Sequence, residues 1–219
     1  MGLLHVPLSA LAQVPPSAQE IARFSALHSA AHRGSLAAIE AAASAKADLN
    51  ARDSAGRTPL HVAVFAKQRE AVKTLVKASA NINLLENDRY DGITIASVAD
   101  DEDTLRVLIQ LGANAKLITS RYDGTALIAA AHLGHDGVVR QLIAAGAPLD
   151  HVNNLHWTAV IESIVLGDGG KRHQATLEAL IKAGANLQLA DRAGNTPLAL
   201  ARQRGYSAMV RMLEAAGAR

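Results

Sequence analysis

The stretch AGRTPLHVAV at residues 55–64 carries the signals for the start of a short helix. Gly56 permits a sharp turn with a positive φ, Thr58 can cap the free amides of a helix, and Pro59 suits the first helical position, where its missing N–H costs nothing. Apolar residues follow at helical spacing, and a second apolar stripe begins after the polar segment 67–70. The pattern predicts two short helices joined by a turn, a unit too small to bury its own apolar face.

Copies of this unit recur along nearly the whole chain. Segments related to the helix-start block lie at 25–34, 92–99, 124–134, 157–167 and 194–205. Small residues close most of the second helices, at Ser79, Gly112, Gly146, Gly184 and Gly217. Counted from Lys46, where the first closure would lie, the spacings are 33, 33, 34, 38 and 33 residues. A helix-turn-helix unit at this period is typical of a stacked repeat protein.

Three features of these units are shared with one known family. The chain resembles the ankyrin-repeat family, in particular its alanine-rich bacterial members, through the G-x-T-P-L-H turn from Gly56 to His61, the Gly134–His135 pair and the G-A-N closures. The resemblance covers about residues 24–219 in six copies. It implies an all-α solenoid of helix-turn-helix repeats with finger loops between them.

Residues 1–16 differ from the repeats and are predicted to be an N-terminal arm or the remnant of a signal peptide. The Ala10–Ala12 pattern and the proline pair at 15–16 resemble a secretory cleavage site, but no basic residue precedes the pattern and Pro7 interrupts its apolar core. Two interpretations remain open. The stretch is either the tail of an export signal, which favours the periplasm, or an apolar arm packed on the first repeat of a cytoplasmic protein.

The remainder of the chain is expected to be one ankyrin-repeat domain over residues 17–219, beginning with a predicted capping box between Ser17 and Glu20. Polar side chains coat the helices of the last repeat, as expected of an end cap. The six repeats are predicted at about 17–50, 51–83, 84–116, 117–149, 150–187 and 188–219.

Composition excludes several classes of function. The chain is 49% hydrophobic but only 3% aromatic, so its core must be built from Ala, Leu, Ile and Val. A net charge of +2 with well-mixed acids and bases argues against a nucleic-acid partner, and no apolar run reaches the roughly 18 residues that span a bilayer. The absence of cysteine excludes disulfides, thiolate metal sites and a cysteine nucleophile.

Neither a metal site, a cofactor nor catalysis is predicted. His28 and His32 have the spacing of metal ligands on one helical face, but no third ligand lies nearby, and the family resemblance gives His28 a hydrogen bond to a neighbouring turn instead. The acidic run 100–103 is expected to start a helix, where carboxylates are favoured. No motif brings together a nucleophile, a base and an orienting group, so the chain is not expected to be an enzyme.

Two repeats deviate from the common length. The distance from Thr94 to Gly112 is 18 residues instead of 21, which predicts a first helix shortened by about a turn and a finger lengthened by three residues. The distance from Thr158 to Gly184 is 26, which predicts an inserted surface loop in the segment 166–174. Glu162, within a first helix, is expected either to face the groove or to pair with a neighbouring histidine or arginine.

The candidate binding residues cluster on consecutive fingers. The tetrapeptide RYDG occurs twice, and the following finger carries a tryptophan, although the whole chain has only six aromatic residues. Tyr, Trp and Arg are the residue types that most often anchor interfaces. The alternative is that each Asp only caps a helix and each Gly only permits a bend. The predicted partner-binding set is Arg89, Tyr90, Asp91, Arg121, Tyr122, Asp123, Asn153, Asn154, His156, Trp157 and Glu162.

These observations predict a non-catalytic module that binds a folded protein partner through its fingers. An exported chain would correspond to an inhibitor or immunity-type protein of a secreted or periplasmic enzyme, as the bacterial resemblance implies. The alternatives are an intracellular adaptor and a self-assembling scaffold. We expect sedimentation of the purified protein to show a monomer, whereas a scaffold would self-associate.

Overall fold

The computed structural model describes residues 13–219, and all structural statements refer to these. The Ala10–Ala12 pattern interpreted as a cleavage site lies outside the described residues. Within them the chain forms thirteen helices: α1 (Ala18–Ile21), α2 (Ala26–Arg33), α3 (Leu36–Ser44), α4 (Pro59–Phe65), α5 (Arg69–Lys77), α6 (Gly92–Val98), α7 (Glu102–Gln110), α8 (Ala126–Leu133), α9 (Asp136–Ala144), α10 (Ala159–Val165), α11 (Lys171–Lys182), α12 (Pro197–Gln203) and α13 (Ser207–Ala215).

The helices stack in two rows. The first helices of the six repeats are α2, α4, α6, α8, α10 and α12, and each packs on the next. The second helices, α3, α5, α7, α9, α11 and α13, form a parallel row behind them. Leu, Ile, Val and Ala from both rows are fully buried between them, with Leu60, Leu75, Leu127 and Leu142 among the largest. This arrangement confirms the predicted all-α solenoid and its aliphatic core.

Each first helix begins at a capping side chain. The oxygens of Ser25, Thr58, Thr125, Thr158 and Thr196 each accept a hydrogen bond from the backbone amide three residues on. An N-cap oxygen satisfies one of the amides that a helix leaves free at its start. The turn signals of the sequence therefore mark the helix starts in these five repeats.

The third repeat differs from the prediction. Helix α6 has seven residues, as does α4, so the expected shortening by a turn is wrong, and the finger before it is not lengthened. The cap is Asp91, whose Oδ1 accepts a hydrogen bond of 2.8 Å from the amide of Thr94. Asp91 occupies the position of Thr58, and Thr94 that of His61. A carboxylate caps a helix as well as a hydroxyl does, and the threonine that set the predicted register lies three residues too far along.

The fifth repeat carries its extra residues differently from the predicted surface loop. Helix α11 has twelve residues against nine in α5, so three of the five extra residues lengthen a helix. The turn that remains, 166–170, is held by side chains. His173 Nδ1 lies 2.8 Å from Asp168 Oδ1, and the Tyr206 hydroxyl donates to the carbonyl of Gly167 at 2.8 Å. The insertion is therefore an ordered turn in repeat five, which a side chain of repeat six helps to hold.

Histidines link successive repeats. His28 Nε2 lies 2.9 Å from the carbonyl of Arg57, and His61 Nε2 lies 2.9 Å from the carbonyl of Leu84. The resemblance implied this role for His28. The rings of His28 and His32 also pack near Phe24, with centroids 5.8 and 6.1 Å from the phenyl centroid.

Candidate functional site

Each finger closes around one acceptor side chain. The fingers are named after the repeat they lead into: second (47–57), third (80–90), fourth (113–124), fifth (147–157) and sixth (185–195). Near the tip of each, one side chain accepts hydrogen bonds from the amides two and four residues later, through a single oxygen in four fingers and through both carboxylate oxygens of Glu86 in the third. Such bonds make a compact turn of fixed shape. The acceptors are Asp53, Glu86, Ser120, Asn153 and Asp191.

Three consecutive fingers lack the glycine that the second and sixth fingers carry. Two residues before the helix cap, the second and sixth fingers have Gly56 and Gly194, with φ values of 75° and 81°. The third, fourth and fifth fingers keep the left-handed backbone but place Arg89, Asp123 and His156 there, with φ values of 67°, 52° and 63°. A side chain in this region costs on the order of 1 kcal/mol or more. Such strain clusters at functional sites, which directs attention to these three fingers.

The two RYDG tetrapeptides are not structurally equivalent. Tyr90 directly precedes the helix cap Asp91, whereas Tyr122 lies three residues before the cap Thr125. The tetrapeptides are 32 residues apart while the caps are 34 apart, so the motif shifts by two positions between fingers. The first aspartate therefore starts a helix, and the second, Asp123, lies near the finger tip.

The arginines of the two motifs bridge the third and fourth fingers. Arg89 Nη1 lies 2.7 Å from Asp123 Oδ1, and Arg121 Nη2 lies 2.6 Å from Asp88 Oδ1. Exposed ion pairs of this kind contribute little stability singly, because water screens them. The two ion pairs run in opposite directions between the fingers, and the amide of Ser120 also donates a hydrogen bond of 3.0 Å to the carbonyl of Arg89. Together these contacts fix the relative position of the two finger tips. This bridging explains the recurring arginine.

The three finger aromatics line one groove pocket. Tyr90, Tyr122 and Trp157 are each half-buried and form the wall of a 270 Å³ pocket, hereafter the groove pocket. Its floor comes from α6, α8 and α10, and includes Val98, Ile128, Ala129, His132, Leu133, Glu162 and Leu166. Residues that are about 32 to 35 positions apart in sequence thus share one concave surface because the repeats stack.

A buried carboxylate lies at the floor of the groove pocket. Glu162 is 4% exposed, and its Oε2 lies 3.3 Å from His132 Nδ1. Asn153, the acceptor that shapes the fifth finger, donates from Nδ2 to Glu162 Oε1 at 3.0 Å. Glu162 therefore lines the groove and also neighbours a histidine, so both alternatives expected for it apply.

The predicted partner-binding residues divide by exposure. The exposed members are Arg89, Arg121, Asn154 and His156, and the partly exposed ones are Tyr90, Tyr122, Asp123 and Trp157. Asp91 and Asn153, at 2% and 5% exposed, lie beneath the surface and hold the helix and finger in shape. The burial of Asp91 differs from the expectation of direct contact with a partner, because the motif pattern does not distinguish a cap from a tip, whereas Asn153 lines the groove pocket beside Glu162. His132 and Leu133 also line the pocket but are not in the predicted set, because the repeat pattern does not show which side chains at the end of α8 face the groove.

Asp91 gives the first testable prediction. Burial raises the pKa of its carboxyl, so the charged form is disfavoured in the fold. We expect Asp91→Ala to lower the free energy of unfolding by about 1–2 kcal/mol, because the buried amide of Thr94 loses its acceptor. Asp91→Asn keeps the cap without the charge and should leave stability equal or higher at pH 7. Urea unfolding of both variants checks this, and an equal loss in both would contradict the capping role.

Among residues 13–219, no group of three or more His, Cys, Asp or Glu side chains is arranged to hold a metal ion. In the same range, no helix is long and apolar enough to cross a membrane. The site defined by the fold is a finger-lined groove with an aromatic pocket.

Stacked helix pairs with projecting fingers and a groove between them define a solenoid repeat protein of the class that binds other proteins. A family model of ankyrin repeats matches residues 8–86 and 93–191. The chain belongs to the ankyrin repeat family, whose members are protein–protein interaction modules and generally non-catalytic.

Three relatives illustrate the match. An ankyrin repeat domain from Acinetobacter baumannii AYE is 43% identical, with a TM-score of 0.83 over 88% of this chain and 98% of that one. YahD of Escherichia coli K12, described as an ankyrin repeat protein, is 40% identical over 100 residues, which cover 45% of this chain and only half of that protein's length.

The third relative comes from a complex. It is a chain in the structure of a predatory endopeptidase from Bdellovibrio bacteriovorus bound to an immunity protein. It is 28% identical, with a TM-score of 0.72 over 88% of this chain and 98% of that one.

Proposed function

We propose that the chain is a non-catalytic binding protein that holds one folded protein partner in the groove formed by its third, fourth and fifth fingers. The observation that carries this proposal is the convergence of Tyr90, Tyr122 and Trp157 on one pocket. These are three of only six aromatic residues in the chain. Aromatic side chains at the centre of a concave surface are the usual anchors of protein interfaces.

The rigidity of the fingers supports the same proposal. Backbone hydrogen bonds run from Asn87 to Ala55, from Ser120 to Arg89 and from Asn154 to Tyr122, at 2.9–3.1 Å. With the crossed ion pairs, these bonds hold the aromatic side chains in place before a partner arrives. A preorganised surface loses less entropy on binding, so more of the contact energy contributes to affinity.

The proposed partner is a hydrolytic enzyme, and the proposed role is that of an inhibitor or immunity-type protein. The similarity to a chain from the endopeptidase–immunity protein complex supports this role. A groove centred on one pocket fits a folded partner that offers a single protruding loop or side chain. The role requires no catalytic residue in the chain itself.

Affinity capture tests the proposal. The purified protein serves as bait for the periplasmic and cytoplasmic fractions of its source cell, and retained proteins are identified by mass spectrometry. We expect one dominant hydrolase, whose activity on a peptide or cell-wall substrate falls as the protein is added at stoichiometric amounts. A retained partner that is not a hydrolase would overturn the inhibitor role, and a chain that captures only itself would overturn partner binding.

A further inference from the structure

The groove pocket holds a buried carboxylate among aromatic and apolar side chains. Among the lining residues that the structure describes, Glu162 is the only Asp or Glu, and there is no Lys or Arg. The groups nearest its carboxylate are the amide of Asn153 and the imidazole of His132. Glu162 is 4% exposed and has no Lys or Arg beside it in the pocket. A buried carboxylate is stabilised when a cation pairs with it.

The arginines at the rim do not supply that cation. Arg89 is paired with Asp123 on the neighbouring finger, and Arg121 is paired with Asp88. Neither guanidinium lines the pocket. A ligand that enters the groove therefore meets a carboxylate at the floor and no lysine or arginine within the pocket.

The pocket walls also favour a cation. Tyr90, Tyr122 and Trp157 line the same pocket as the carboxylate, and aromatic faces attract ammonium and guanidinium groups, most strongly where water is excluded. The volume of 270 Å³ is many times the roughly 15 Å³ that one water molecule needs on the same measure, so a long side chain can enter.

We propose that the groove pocket is a receptor for one basic side chain, arginine or lysine, presented by the protein partner. The aliphatic stem lies between the aromatic walls, and the charged head reaches Glu162 at the floor. An apolar side chain would bury the carboxylate without pairing it, and an acidic one would be repelled by it. This inference rests on the proposed function, because it specifies the part of the partner that the groove recognises.

Small probes test the pocket without any partner. Trp157 is the only tryptophan of the chain, so its fluorescence reports occupancy of the pocket directly. The probes are Nα-acetyl-argininamide and, as a neutral isostere, Nα-acetyl-citrullinamide. We expect a saturable fluorescence change with the arginine probe at millimolar concentration. The citrulline probe should bind at least about tenfold more weakly. Equal binding of the two probes would overturn the proposal without any variant being needed.

Glu162→Gln provides the matched variant. It keeps the shape and the acceptor for Asn153 while it removes the charge, and we expect arginine-probe binding to fall to the level of the citrulline probe. Circular dichroism and urea unfolding verify that the variant is folded. Arginine-probe binding that stays unchanged in the folded variant would overturn the role of Glu162. Failure of the probes together with intact partner capture would refute the basic-side-chain receptor alone, whereas failed capture with intact probe binding would refute the proposed function.

Discussion

Replacing Tyr90, Tyr122 and Trp157 together with alanine is expected to abolish capture of the partner while the helical content is retained. Interface anchors of these types commonly contribute 2 kcal/mol or more each, so we expect the dissociation constant to rise by at least about a hundredfold. All three side chains are partly exposed in the free protein, so a partner can still cover part of each of them. Surface plasmon resonance with the captured partner measures the change.

Tyr206→Ala is the control for this experiment. Tyr206 is also half-buried and makes one hydrogen bond, to Gly167, but it lies outside the groove pocket at the start of α13. We expect this variant to lose some stability, as the triple variant does, and to bind the partner with unchanged affinity. Undiminished capture by the triple variant would refute the assignment of the groove as the binding surface.

Acidification is expected to weaken the fold through His61. Burial lowers the pKa of its imidazole to about 4, against hydrogen bonds that favour the protonated form. In the fold its Nδ1 accepts hydrogen bonds from the Thr58 amide and hydroxyl, at 3.1 and 2.8 Å, and its Nε2–H donates to the Leu84 carbonyl. Protonation would also remove the acceptor at Nδ1 for the Thr58 groups, which adds to the effect of burial.

The direction of the pH effect follows from this depressed pKa. Between the unfolded pKa near 6.5 and the folded pKa near 4, the unfolded chain binds the proton and the folded chain does not. Stability is therefore full above the unfolded value and falls as the pH drops toward 4. The expected loss from this one group is on the order of 3 kcal/mol.

His61→Gln separates this effect from other titrations. The variant is expected to be less stable than the natural protein at pH 7.5, and the difference between the two should shrink as the pH falls to 4. Urea unfolding at several pH values measures both curves. Parallel curves for the two proteins would contradict the assignment to His61, as would an imidazole that titrates by NMR near 6.5 in the folded state.

The sequence was sufficient for the architecture because the repeat makes the information redundant. The spacing of 33 residues, the capping threonines and the closing glycines each mark the same units, so an error in one does not change the fold. Thr58 and Pro59 start α4 as their chemistry predicts. A solenoid also requires contacts only between neighbours, so the order of units along the chain is their order in space.

Register within a single unit was harder to predict. Asp91 and Thr125 both cap a first helix, one with a carboxylate and the other with a hydroxyl. The sequence pattern searches for a threonine, so it places the start of the third repeat at Thr94 and predicts too short a helix. The second RYDG motif is displaced by two positions relative to the first, and only the caps reveal this displacement. Because Asp, Thr and Ser can all cap a helix, the sequence alone does not determine at which residue a helix of one repeat begins.

The floor of the groove pocket could not be derived from the sequence. Glu162 and His132 are 30 positions apart on helices whose mutual rotation is set by core packing, and Asn153 reaches Glu162 from a finger. Each residue alone has an ordinary explanation on a helix or in a turn. The finger aromatics could be singled out because they are few, but their convergence on one pocket depends on the stacking geometry.

Hydrogen–deuterium exchange of the protein with its partner is the measurement that tests the groove most directly. We expect protection on binding in the third, fourth and fifth fingers and along α6, α8 and α10, with little change in α7, α9 and α11. Protection confined to α7, α9 and α11, with the fingers unchanged, would contradict the groove as the binding surface.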